Sequence, residues 1–106
     1  MEKCKMVIYK ATDKLSGWCY IGKTIKGLEE RKKQHLYLSR KGQYKNFSFH
    51  YFLNRYEKDI YWEVICKCKD EDELDRLEKY YINYYSSFCV YNQKLKKNIK
   101  NYIYNR

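Results

Sequence analysis

Proline is absent from this chain and glycine occurs only four times. Both shortages argue against a long flexible or polyproline linker, which would draw on those residues. Long apolar runs are missing as well, since no stretch reaches the roughly 18 residues that a membrane span requires. The first residues, Met1 to Lys5, carry charge and run directly into an apolar segment, which is not the layout of a secretory signal. Acidic residues are scarce beside basic ones, 13 against 23. A chain of 106 residues points to one domain, and an apolar content of 44% is enough to close a core with little to spare.

The net charge of +10 should attract polyanions, of which nucleic acid is the commonest inside a cell. A lysine-rich surface encoded by an AT-rich genome competes with that reading, and it accounts equally for the abundance of Lys, Asn, Tyr and Ile. Five cysteines, an odd number, argue for a reducing, intracellular setting, cytoplasm or nucleus. Cys66 and Cys68 stand one residue apart, closer than the roughly two to four residues between structural zinc ligands, so free thiols are the expected state. Fourteen tyrosines suit half-buried packing with hydroxyls reaching water, while stacking on bases is the alternative.

Periodicity predicts the elements. Met6 to Ala11 and Trp18 to Lys23 read as strands joined by a turn, a β-hairpin. Leu28 to Lys41 reads as a helix stopped by Gly42. Ser48 to Tyr56 reads as a short helix with the stripe Phe49, Phe52, Leu53 and Tyr56. Tyr61 to Cys66 reads as a third strand. Asp70 to Tyr85 reads as a third helix, with Asp70 as N-cap and Glu73 three residues on. The order β-β-α-α-β-α predicts a small α/β sandwich with a three-stranded, mainly antiparallel central sheet flanked by helices. Residues 1–93 form the domain, and 94–106 form a basic tail that contains Lys94, Lys96 and Lys97 and no acidic residue.

Several polar residues fall where apolar ones would be expected. On the third helix Leu74, Leu77, Tyr81, Ile82 and Tyr85 share one face, with Glu78 in its middle. A carboxylate there must be paired or hold a metal; a buried salt bridge to Arg31 is the competing reading. On the first helix the inward arc, marked by Leu28, Leu36 and Leu38, includes Arg31 and His35. Those two suit phosphate binding and proton transfer, or else a satisfied buried network. If residues 11 and 18 pair across the hairpin, Tyr9 lies opposite Tyr20, as catalytic phenols or as a packing pair. His50, beside the stripe of the short helix, reads as a surface or structural histidine. Together, two tyrosines, an arginine, a histidine and a glutamate could serve metal-assisted phosphodiester hydrolysis.

Val7-Ile8-Tyr9, ten residues, then Tyr20-Ile21-Gly22 resembles the paired signature of the GIY-YIG nuclease family. The resemblance continues through Lys23, Arg31, His35, Glu78 and Tyr91-Asn92, and covers residues 6 to 93; Val7 departs from it, standing where the family has glycine. It implies a small α/β catalytic domain that hydrolyses DNA phosphodiesters with one divalent metal per site, Mg²⁺ or Mn²⁺. Carried over, Glu78 is the sole protein metal ligand, and Arg31 contacts the scissile phosphate. Tyr9 or Tyr20 positions or deprotonates the attacking water. His35 shares the proton work and Asn92 holds a loop or a phosphate. Strand alternation points Lys23 away from Tyr20, so it joins the site only if the strand ends or bends at Gly22. Arg31, Lys32, Lys94, Lys96 and Lys97 are the expected nucleic-acid contacts.

The alternative is a nucleic-acid-binding module of the same fold without catalysis; a third reading is a protein-interaction domain whose charge is incidental. A catalytic domain with no recognition module predicts low sequence specificity or selection for a DNA structure, with a homodimer or separate recognition partner supplying the rest.

Overall fold

The structure is a computed structural model that describes residues 5–45 and 48–86. Asn92 and the basic stretch with Lys94, Lys96 and Lys97 lie outside the described residues, as do Cys4 and Cys89.

Three strands, β1 (Val7–Asp13), β2 (Cys19–Thr24) and β3 (Ile60–Lys67), form an antiparallel sheet in the order β2-β1-β3. Helix α1 (Leu28–Lys41) and helix α2 (Phe49–Tyr56) follow the hairpin, and α3 (Glu71–Tyr84) follows β3. The element order and the antiparallel α/β sandwich are those the periodicity predicts. Among the described residues no helix is long and apolar enough to cross a membrane.

Strand alternation divides the core between the two sheet faces. On one face Ala11 packs with Phe49, Phe52, Leu53 and Ile60, so α2 buries three members of its predicted stripe there, with Tyr56 partly buried against them. On the other, Ile8, Cys19, Ile21, Cys68 and Leu74 form the second cluster, covered by Leu77, Tyr81 and Ile82 of α3. Cys19, Cys66 and Cys68 are free thiols, the first and last buried.

Local chemistry sets the helix ends. The Asp70 carboxylate accepts from the Glu73 amide at 2.8 Å, and Glu73 reaches back to accept from the Lys69 amide at 3.1 Å. This reciprocal cap fixes the start of α3 and therefore the rotation of the helix that carries Glu78. Ser48 caps α2 by accepting from the Tyr51 amide. Gly42 ends α1 in the left-handed conformation, at φ 72°.

Two sequence expectations are corrected. The hairpin register differs by two residues: Ala11 pairs with Tyr20, and Tyr9 pairs with Gly22. The β1–β2 ladder runs as far as Thr12–Cys19, and the Asp13 amide donates to the Trp18 carbonyl one step further, which leaves residues 14–17 as a tighter turn than the one assumed. Asp13 organises that turn, accepting from the Leu15 amide and the Ser16 hydroxyl. A shift of two keeps each side chain on its expected face, so Tyr9 and Tyr20 become diagonal neighbours. The second correction concerns α1, whose fully buried residues are the polar His35 and Ser39, while Leu38 is exposed. Helix α1 thus turns a polar stripe toward α2. There Ser39 donates to the Leu36 carbonyl, and the Asn54 amide donates to the Ser39 carbonyl.

Candidate active site

Tyr9 enters the site from the central strand, beside an irregularity where the β1–β3 register slips between Ile8 and Tyr9. Such bulges re-aim a side chain. Its ring lies over Gly22 on the neighbouring strand. A Cβ at Gly22 would run into the Tyr9 ring and hydroxyl and come within 2.9 Å of Tyr20 Cε2. The glycine therefore serves close approach: without a side chain there, the phenol can cross β2 toward α1. Tyr20 is fixed differently, stacked on Phe49 with centroids 4.4 Å apart and planes 1° from parallel.

His35 occupies the centre. It is 2% exposed, and its ring has Tyr9, Tyr20, Phe49, His50 and Trp62 around it at centroid distances of 5.0 to 5.9 Å. Its Nε2 lies 2.6 Å from the Tyr9 hydroxyl, and its Nδ1 lies 2.7 Å from His50 Nε2. Tyr9, His35 and His50 thus form one hydrogen-bonded chain. His50, expected to be a surface or structural histidine, is half-buried and hydrogen-bonded here. The sequence signal for it was faint: a histidine one residue after Phe49, the first member of the α2 stripe, is carried partly inward by the same helix rotation.

Electrostatics follow from burial. Burial is the main force pushing the Tyr9 phenol above its ordinary value, helped by Tyr20 and opposed by the charge and hydrogen bond of Arg31. Tyr20 is raised by burial too, with Arg31 opposing and Glu78 adding to the rise. His35 is pushed down to about 3, by burial first and then by the positive field of Arg31. His50, half-buried, is lowered by the same two causes. Both phenols are therefore protonated at neutral pH and both imidazoles are uncharged.

Arg31 is half-buried on α1 and donates to Gln34 at 2.9 Å. Glu78 approaches from α3, on the opposite side of the sheet, near the β2 edge. Its side chain is 23% exposed and its partner is Lys23, at 3.7 Å, so the ion pair it makes is with this lysine and not the Arg31 pair of the competing reading. Lys23 does point away from Tyr20, as alternation requires, onto the α3 side with Ile21 and Cys19. There it also meets Asp75 at 2.5 Å, a contact between distant residues that no local pattern marks. A cleft of about 460 Å³ opens along this edge, lined by Lys23, Lys26, Arg31, Gln34 and Asp75 among others. Lys32 is half-buried, with its ammonium 5.9 Å from the Trp62 ring centroid.

The donor set defines what cation could sit here. No group of three or more His, Cys, Asp or Glu able to hold a metal occurs among the described residues. Glu78 is a hard oxygen donor and partly shielded. That suits a magnesium-like ion that keeps most of its waters and takes one carboxylate, and it does not suit a soft-metal cage.

The sequence profile of the GIY-YIG catalytic domain matches residues 5–95. Two solved structures share the fold. The catalytic domain of the homing endonuclease I-TevI superposes with a TM-score of 0.65 at 20% identity, covering 76% of this chain and 87% of that one. A mutant catalytic domain of the intron endonuclease I-TevI, with a glutamate replaced by alanine, gives 0.69 at 18% identity, covering 87% and 99%. No curated protein matches.

Proposed function

Because the chain belongs to the GIY-YIG catalytic-domain family, a family of nucleases, we propose that it is a metal-dependent DNA endonuclease. The observation that carries this reading is the convergence of Tyr9, Tyr20, Arg31 and His35 from β1, β2 and α1, with the charge of Glu78 felt by both phenols. A module that only binds nucleic acid has no use for a half-buried carboxylate whose charge reaches two desolvated phenols.

In this reading the phosphodiester enters along the cleft at the β2 edge, with Arg31 donating to the scissile phosphate. Its planar fork stabilises the charge that builds on the phosphoryl oxygens. Glu78 holds Mg²⁺ or Mn²⁺, one per site. Bound there, the ion would supply Lewis acidity toward the phosphate and favour loss of a proton from the attacking water.

The proton taken from the attacking water leaves through the phenols and imidazoles. A neutral imidazole carries one N–H, so the chain has a direction. The relay uses the tautomer in which Tyr9 donates to His35 Nε2 and His35 Nδ1–H donates to His50 Nε2. When a phenol accepts the water proton, each member passes its own proton on. The positive charge cannot rest on His35, whose pKa is driven to about 3; it comes to rest on half-buried His50, closer to water. Tyr9 is 0% exposed while Tyr20 is only half-buried, so Tyr20 faces the water and Tyr9 stands behind it. Phosphate binding offsets the Arg31 charge, a principal cause of the low basicity of both rings, and so readies the relay when substrate is present.

Lys26, Arg31 and Lys32 are the cationic groups of the described residues placed for backbone contact, and Lys94, Lys96 and Lys97 of the tail would extend it. Phosphate contacts position without reading sequence. Low sequence specificity or selection for a branched or nicked structure follows, with a homodimer or a separate recognition partner conferring any further choice.

The test is cleavage of supercoiled plasmid and of branched DNA with Mg²⁺, Mn²⁺ or EDTA. Metal-dependent cutting is expected. Binding without cutting under every metal would instead support an inactive binding module.

A further inference from the structure

The Lys23 ammonium stands between two carboxylates of α3, 2.5 Å from Asp75 Oδ1 and 3.7 Å from Glu78 Oε1. Asp75 and Glu78 are three residues apart and therefore share one helix face. The three groups are unequal in exposure: the side chain of Asp75 is 58% exposed and that of Glu78 23%. The ammonium thus makes its short contact with the more solvated carboxylate and only leans on the shielded one.

A lysine this close to Glu78 competes with any cation that carboxylate would bind. We propose that Asp75 is a positioning residue for the metal site: it holds the Lys23 ammonium beside the Glu78 carboxylate, not on it, and so keeps that carboxylate open to a divalent cation. The proposal rests on the reading of Glu78 as metal ligand. Its logic is one of alternative partners. With Asp75 present, an arriving dication can repel the ammonium fully onto Asp75 at little cost. With Asp75 neutralised, Glu78 is the anion left to Lys23 in its immediate surroundings, and the dication must displace it. Exposed ion pairs of this kind shift equilibria by up to about fivefold.

Simple attraction also predicts that removing a carboxylate weakens cation binding. The two accounts separate in a double-mutant cycle. Binding of Mn²⁺ alone to the full chain is followed through the electron paramagnetic resonance of free Mn²⁺, for wild type, Asp75→Asn, Lys23→Met, the double variant and Glu78→Gln. Circular dichroism checks the fold of each. Asp75→Asn should weaken Mn²⁺ roughly three- to fivefold, and Lys23→Met should tighten it. In the Lys23→Met background the cost of Asp75→Asn should shrink by about threefold or more, because nothing is left to park. An equal cost in both backgrounds, or no cost in either, would overturn the positioning role while leaving Glu78 as ligand. Mn²⁺ binding that survives Glu78→Gln unchanged would remove the ligand reading itself, and this proposal with it.

Discussion

The hydroxyl of Tyr9 and the Nε2 of His35, 26 residues apart in the chain, lie 2.6 Å from one another inside the fold. That contact joins the central strand to α1, and His50 extends it to α2 at 2.7 Å. If the chain of groups carries protons, its outer member matters although it is remote from the phosphate. His50→Ala should lower kcat on the order of 10- to 100-fold with DNA affinity little changed. His50→Gln should recover part of the fold's hydrogen bonding but none of the rate. Equal loss of DNA binding and rate in His50→Ala would point to a structural role alone.

Gly22 faces Tyr9 across the ladder, and a methyl group there has no room. Gly22→Ala should destabilise the domain by about 1–3 kcal/mol as the phenol is displaced. Activity should fall further than stability alone explains, because Tyr9 loses its place against His35. Urea unfolding and cleavage, measured on the same preparation, check both parts. A variant as stable and active as wild type would show that the Tyr9 ring does not need this approach.

Acid should destabilise the protein before its carboxylates titrate. The imidazole of His35 belongs near 6.5 when exposed and is held down to about 3 by burial and Arg31. Between those values the unfolded chain binds a proton that the folded one refuses. Stability is therefore full above the unfolded value and is lost as pH falls, by up to about 1.4 kcal/mol per pH unit. Half-buried His50 acts in the same direction. Urea midpoints measured from about pH 7.5 to about pH 5 should fall steadily in wild type and less steeply in His35→Gln. Identical slopes would contradict the assignment.

Much of this architecture is legible in the residues themselves. Asp70 with Glu73 announces the start of α3, and Gly42 the end of α1, because caps are local chemistry. The stripe from Phe49 to Tyr56 announces α2, because its period is that of a helix. Glu78 stands out for the same reason, as a charge on a face otherwise apolar. What the residues did not disclose depends on partners distant in sequence. The Tyr9–Gly22 register follows from where the turn tightens around Asp13, a balance that alternation alone leaves ambiguous by two residues. Leu38 reads as an inward residue, yet α1 buries His35 and Ser39, because His50 and Asn54 of α2 supply them with hydrogen-bond partners beside Phe49. His50 and Asp75 acquire meaning only from what lies across the sheet or the helix pair: His35 for one, Lys23 for the other.

The central claim is that Glu78 holds the cation on which phosphodiester cleavage depends. Its most direct test compares wild type with Glu78→Gln in Mg²⁺ and Mn²⁺, reading plasmid cleavage, DNA binding in EDTA and circular dichroism side by side. The account predicts metal-dependent cutting by wild type and its loss in Glu78→Gln, while the variant keeps its fold and its DNA affinity. Cleavage that persists in Glu78→Gln, or that proceeds in wild type with EDTA present, would contradict it.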